Sequence, residues 1–176
     1  MSDIKADNFA DDADTLQFLE PTSARSEKFY FSYDGDWYEN TDDWNEANDD
    51  TFDMGTGFLG NLASGSVSLT CSGQVLEGPT QLDLSGKNWV MIGNPLPRAV
   101  KFSEIEAIDF ADDADTLQKL ESSSARSEKF YFCYDGDWYE NTDDWNDASD
   151  DEIAAGEALL ANVASGSVKI NFPSAL

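Results

Sequence analysis

Apolar and polar positions alternate with period two through most of this chain, which is the pattern of half-buried β-strands. In KFYFSYDGDWYEN, residues 28–40, two such runs flank the dipeptide Asp34-Gly35. A β-hairpin with a type I′ turn is expected there, and a second is expected at Asp135-Gly136. SGSVSL and SGSVKINF are further period-two runs, each launched by a Ser-Gly turn and each read as a strand. LDLSGKNWVMIG holds two β-prone runs around residues 85–88 and reads as one more hairpin, closed by Pro95 and Pro97. A short helical turn is expected around residues 103–105, with Ser103 as its N-cap.

One segment is ambiguous by pattern. DEIAAGEALLANVA, residues 151–164, has the Ala, Leu and Glu content of a helix, but its counterpart TFDMGTGFLGNLA carries three glycines. Aligned copies should share a backbone, so a turn at Gly55 and Gly156 followed by a short strand is expected, with a helix as the alternative in the second copy. The counterpart exists because residues 9–69 align without a gap onto 110–170 at an offset of 101, identical at 44 of 61 positions. The expected architecture is therefore all-β: two tandem, internally duplicated small β-sandwich or barrel-like modules of about six strands each. The boundaries are 1–77 and 78–176, the second module including a connector hairpin at 80–94.

Composition is that of a folding chain, 40% hydrophobic with five Trp, despite a formal net charge of −26. The charge is unevenly spread: residues 1–69 carry 16 acids against 3 bases, residues 102–176 carry 18 against 4, and residues 70–101 carry 2 against 3. Such a chain repels phosphate backbones and anionic lipid, so nucleic acid is not an expected partner. An acidic nucleic-acid mimic that binds a basic protein is the one reading suggested by charge alone. No apolar run is long enough to span a bilayer, so membrane insertion is not expected either. Met1 is followed by SDIKADN, not by a basic and then apolar leader, so any export signal is expected to have been removed. The absence of His removes the usual general base and the commonest zinc ligand. Paired carboxylates could serve a glycosidase, but small sandwiches with short loops seldom build the cleft it needs, and no enzymatic activity is expected.

The hairpin and its following loop concentrate hard oxygen ligands. Asp34, Asp36, Glu39, Asp42 and Asp43, with Asp135, Asp137, Glu140, Asp143 and Asp144, are the candidate metal ligands, and calcium is the candidate cofactor. Their spacing does not fit the EF-hand loop, and a solvated acidic turn is the competing reading. Asp11, Asp12 and Asp14, with their copies, have a weaker claim. Trp37, Tyr38 and Trp44, with Trp138, Tyr139 and Trp145, suit either a core or a platform on which a sugar ring stacks; neighbours in a strand face opposite ways, so one of Trp37 and Tyr38 is expected inside. Cys71 and Cys133 align with Phe172 and Ser32, so they are not a repeated pair; idle thiols or a disulfide are both open.

The succession NWVMIGNPLPRAVKFSEI, ADDADTLQKL, KFYFCYDGDWYEN, GEALLAN and SGSVKINF resembles a β-rich module of large secreted and surface proteins of environmental bacteria. The resemblance covers residues 88–172 and implies an extracellular or cell-surface structural or adhesive role. It also sharpens an asymmetry: Ser2-Asp3-Ile4 aligns with Ser103-Glu104-Ile105, so nothing in the first copy answers residues 88–101. The first module is expected to lack that strand: either residues upstream have been lost, the modules close differently, or a strand from elsewhere fills the gap, and an open sheet edge is a template for another chain. Trp89, Val90, Met91 and Ile92 are the candidate interface residues. The expected function is a non-enzymatic extracellular subunit that assembles with itself into a filament or surface layer by β-strand complementation. The alternative is a calcium-assisted carbohydrate-binding or adhesion module, with a glycan as partner.

Overall fold

The computed structural model describes residues 1, 4–11, 13–19, 26–40, 44–63, 67–71, 77–85, 88–112, 114–121, 126–141, 145–164 and 166–175. The chain is all-β, its strands forming antiparallel sheets, and among the described residues none closes into a barrel. It divides into two compact units. One comprises Met1–Glu20, Arg25–Asp53 and Phe58–Gln74; the other comprises Pro21–Ala24, Met54–Gly57 and Val75–Leu176.

The first unit holds β1 (Ile4–Asp7), β2 (Thr15–Leu19), β3 (Ser26–Tyr33), β4 (Asp36–Asn40), β5 (Trp44–Glu46), β6 (Leu59–Asn61) and β7 (Ser68–Cys71). They form a five-stranded sheet, β5-β4-β3-β2-β6, and a two-stranded sheet, β1-β7. Asp34 and Gly35 both have positive φ, 53° and 88°, as a type I′ turn requires, and the turn sets the register Tyr33↔Asp36 and Ser32↔Trp37. Alternation then sends Tyr30, Trp37 and Leu16 inward, where they join Met1 and Ala47 in the core. Trp37 is buried, and its indole N–H donates to the Ile4 carbonyl at 3.1 Å; Tyr38 lies on the other face.

The second unit holds β8 (Thr80–Asp83), β9 (Trp89–Gly93), β10 (Val100–Lys101), β11 (Glu106–Ile108), β12 (Thr116–Leu120), β13 (Ser127–Tyr134), β14 (Asp137–Asn141), β15 (Trp145–Asp147), β16 (Glu152–Ile153), β17 (Ala158–Asn162) and β18 (Lys169–Phe172). Its large sheet is β15-β14-β13-β12-β17-β9, its small ones β11-β18-β8 and β10-β16. Strands β11–β15, β17 and β18 repeat the order of β1–β7. Among the described residues strands β8, β9, β10 and β16 have no counterpart, and the units hold seven and eleven strands. The segment around residue 156 is a turn followed by the strand β17, with Gly156 at φ 76° and Gly55 at 75°.

Two expectations are corrected. The runs 80–83 and 89–93 are strands, but they do not form a hairpin with each other: β8 pairs with β18 and β9 with β17, in different sheets. The link between them crosses from sheet to sheet, and each end continues a ladder, Leu84 N–H donating to the Val168 carbonyl at 2.9 Å and Val163 N–H to the Asn88 carbonyl at 2.8 Å. Two edges needing cover, one on each sheet, outweigh the local pairing that proximity suggests. The helical turn is a 3-10 turn over Phe102–Glu104, preceded by Lys101, so Ser103 lies inside it and is not the cap. Glu104 instead accepts from the Lys101 N–H at 3.0 Å.

Candidate functional site

The site that distinguishes this chain is the pair of sheet edges in the first unit. In the second unit β9 covers the outer edge of β17 along its whole length, Trp89↔Asn162 to Gly93↔Ala158, and β8 covers β18 from Thr80↔Phe172 to Asp83↔Lys169. Leu82, Leu84 and Ile92 arrive with these strands and close the core over Val163, Val168, Ile170 and Phe172. The 101-residue offset maps β17 and β18 onto β6 and β7. Among the described residues no strand pairs with β6 on the side away from β2, or with β7 on the side away from β1.

The side chains follow the backbone. Leu69 is 43% exposed where Ile170 is 0%, and Leu62 is 44% exposed where Val163 is 2%. Cys71 is exposed where Phe172 is buried. All four residues of β7, Ser-Leu-Thr-Cys, are exposed and uncharged, in a chain of net charge −26. Covering Leu62 and Leu69 to the extent of their counterparts would stabilise by about 0.5–1.5 kcal/mol each. The duplication could have pointed to both residues, because each aligns with a position next to a covered strand.

The predicted interface residues lie in β9 of the second unit. Trp89 and Val90 are half-buried and Met91 and Ile92 buried in β9. The far edge of β9 is also engaged, by Met54–Gly57: Thr56 bridges Ile92, Gly57 N–H donates to the Met91 carbonyl at 3.0 Å, and Gly93 N–H donates to the Gly55 carbonyl at 2.7 Å. A Cβ at residue 57 would stand 2.9 Å from that of Ala158, so the departure of Gly57 from its aligned alanine makes this approach feasible.

The predicted metal ligands among the described residues are spread over the turns and both faces of the hairpins. Asp34 and Asp135 occupy the first corner of their turns, exposed to solvent. Asp36 pairs across the ladder with Tyr33 and Glu39 with Tyr30, so the two acids, three residues apart on β4, face opposite ways; Asp137 and Glu140 repeat this. Asp36 accepts from the Asn48 amide at 3.0 Å. Glu39 is paired with Lys28, and Glu140 with Lys129. Asp42, Asp43, Asp143 and Asp144 lie outside the described residues. Among the described residues no group of three or more Asp, Glu or Cys is placed to hold a metal.

Lys129 also reaches Asp151 at 3.1 Å, and the same carboxylate accepts from the Tyr131 hydroxyl at 2.9 Å. Hydrogen bonding to Glu140 and then Asp151 raises the Lys129 ammonium above its ordinary range, and burial followed by Asp151 raises the Tyr131 phenol. Cys133 is a buried free thiol, raised by desolvation, and Cys71 is a free exposed one.

The DDAD motif resolves into a structural device. Asp14 and Asp115 are fully buried. Asp14 accepts from Ala10 N–H at 2.8 Å and Ala63 N–H at 2.6 Å, and Asp115 does the same with Ala111 and Ala164. Each carboxylate ties a tight turn to the chain end of β6 or β17, 49 residues away. In the second unit Asn94 of the GNP motif plays a similar part, its amide donating to the carbonyls of Arg98, Ile153 and Ala154.

No protein-family model matches the chain, and no curated protein or solved structure matches it either.

Proposed function

We propose that this chain is a non-enzymatic structural subunit that assembles with copies of itself through the open sheet edges of its first unit. The observation that carries the reading is the pairing of unfilled edges with exposed Leu62 and Leu69 at positions whose counterparts are filled and buried. Edge strands left open, flat and uncharged are templates for main-chain pairing. Two acidic bodies repel each other, so a contact of main-chain ladders and apolar side chains is the one they can make, and salt should strengthen it by screening.

Stoichiometry sets the mode of complementation. Among the described residues there is one set of connector strands, β8 and β9, and two units that need one. Exchanging these strands between copies leaves as many edges unfilled as before, so the open edge of one copy must meet the open edge of another. Antiparallel pairing of an edge with its own copy is self-complementary, and a unit with two such edges, β6 and β7, propagates a filament where a single edge would stop at a dimer. A surface-layer or filament role outside the cell belongs to the same proposal and is supported by the resemblance of residues 88–172.

The test is to place a second copy of residues 80–101 directly ahead of Met1, where the offset of 101 brings it into register. Analytical ultracentrifugation should show the parent associating, more so at higher salt, and the extended chain monomeric with a higher Tm. A parent that stays monomeric across the accessible concentration range, or an extended chain that associates as readily, overturns the proposal.

A further inference from the structure

On the outer face of each large sheet lies a second feature that edge pairing leaves unused. In the first unit the side chains opposite the core form an aromatic cluster: Phe31 is stacked beside Tyr38 with ring centres 5.7 Å apart, and Trp44 stands edge-on to Phe31 at 4.9 Å and beside Tyr33 at 5.7 Å. Phe31 is buried beneath this cluster, yet Trp44 is 54% exposed. The ring is therefore held from below and open above, which removes most of the entropic cost of using it as a contact. The second unit repeats the arrangement with Phe132, Tyr139, Tyr134 and Trp145, the last 50% exposed.

Each cluster borders a depression. The first, of about 230 Å³, is lined by Thr15, Phe29, Phe31, Asn40 and Trp44. The second, of about 410 Å³, is lined by the five equivalent residues, Thr116, Phe130, Phe132, Asn141 and Trp145. Among the described residues that line them none is charged, although the whole chain carries −26. The polar groups have a definite character: Asn40 and Asn141 offer amides that both donate and accept, and the Thr15 and Thr116 hydroxyls accept from Gln17 at 3.4 Å and Gln118 at 3.1 Å, which leaves each O–H to donate outward.

The surrounding negative field disfavours anionic ligands, and no described lining residue offers a carboxylate to fix a cation over the exposed ring. An exposed aromatic with amide and hydroxyl groups at its rim matches a neutral ring that has one C–H face and a girdle of hydroxyls. We infer that the two depressions bind pyranose rings of a neutral polysaccharide, stacked on Trp44 and Trp145 and hydrogen-bonded by Asn40 and Thr15, and by Asn141 and Thr116. A repeating polymer offers each site many equivalent rings, which favours it over a free sugar.

Affinity electrophoresis tests this with the full chain in gels containing a soluble β-glucan, a galactomannan or a xylan, with alginate as the anionic comparison. At least one neutral polymer should retard the parent and alginate should not. Trp44→Ala and Trp145→Ala should each weaken retention about tenfold and the double variant abolish it. Trp→Phe should retain part of it, and Asn40→Ala with Asn141→Ala should weaken it while leaving Tm unchanged, which separates binding from folding. Failure of all three neutral polymers, or a double Trp variant that binds like the parent, overturns the inference. Loss of self-association in the Trp variants without any glycan retention also overturns it, assigning the face to a second copy instead. Because the extended chain with filled edges should bind as the parent does, failure here and failure of edge assembly are told apart.

Discussion

The two units share most of their residues and differ in how completely they are enclosed. Strands β1–β7 and their seven equivalents have the same order, the same I′ turns and the same Trp at the centre, Trp37 or Trp138. Yet the second unit buries Val163, Val168, Ile170 and Phe172 fully, whereas Leu62, Leu69 and Cys71 face solvent. The difference comes from strands β8 and β9, which carry Leu82, Leu84 and Ile92 onto one copy only. Closure of a small sandwich is thus a property of its last strands, and a duplicated sequence does not guarantee a duplicated core.

The sharpest way to break this comparison is to make the same truncation in both units. Ile170→Ala should cost about 2–5 kcal/mol, because it empties a closed core, while Leu69→Ala should cost no more than about 1 kcal/mol in the monomer, because much of that side chain is already in water. Calorimetry resolving the two units checks this, and equal losses would show that the first unit is as closed as the second. A smaller and symmetric effect is expected from the buried carboxylates. Asp14→Ala and Asp115→Ala should each destabilise their own unit by about 1–3 kcal/mol, since two N–H groups lose their acceptor in either case. If only Asp115→Ala is costly, the turn in the first unit is not held as the geometry describes. The smallest effect concerns calcium. With Asp36 and Glu39 on opposite faces, and Asp137 and Glu140 likewise, millimolar calcium should shift Tm no more than magnesium at equal ionic strength; a larger calcium-specific shift would assign the acids at 42–43 and 143–144 to a bound ion.

What the sequence determined by itself was local and periodic. Alternation placed the strands, Asp-Gly at 34–35 and 135–136 demanded positive φ at both corners, and the glycines at 55 and 156 argued for a turn and strand over the helix that residues 151–164 suggest by composition. Those signals act over a few residues, within which sterics and pleat leave little freedom. The edges, the acids and the outer face were decided at longer range. That β8 and β9 part company depends on which sheet has an uncovered edge. That Asp14 is a tie and not a ligand depends on an N–H 49 residues away. That Trp44 stays exposed while Phe31 beneath it is buried depends on three strands lying side by side. Each of these is a cross-strand relation, and register between distant strands is fixed by the packing of the whole sheet, which no local window contains.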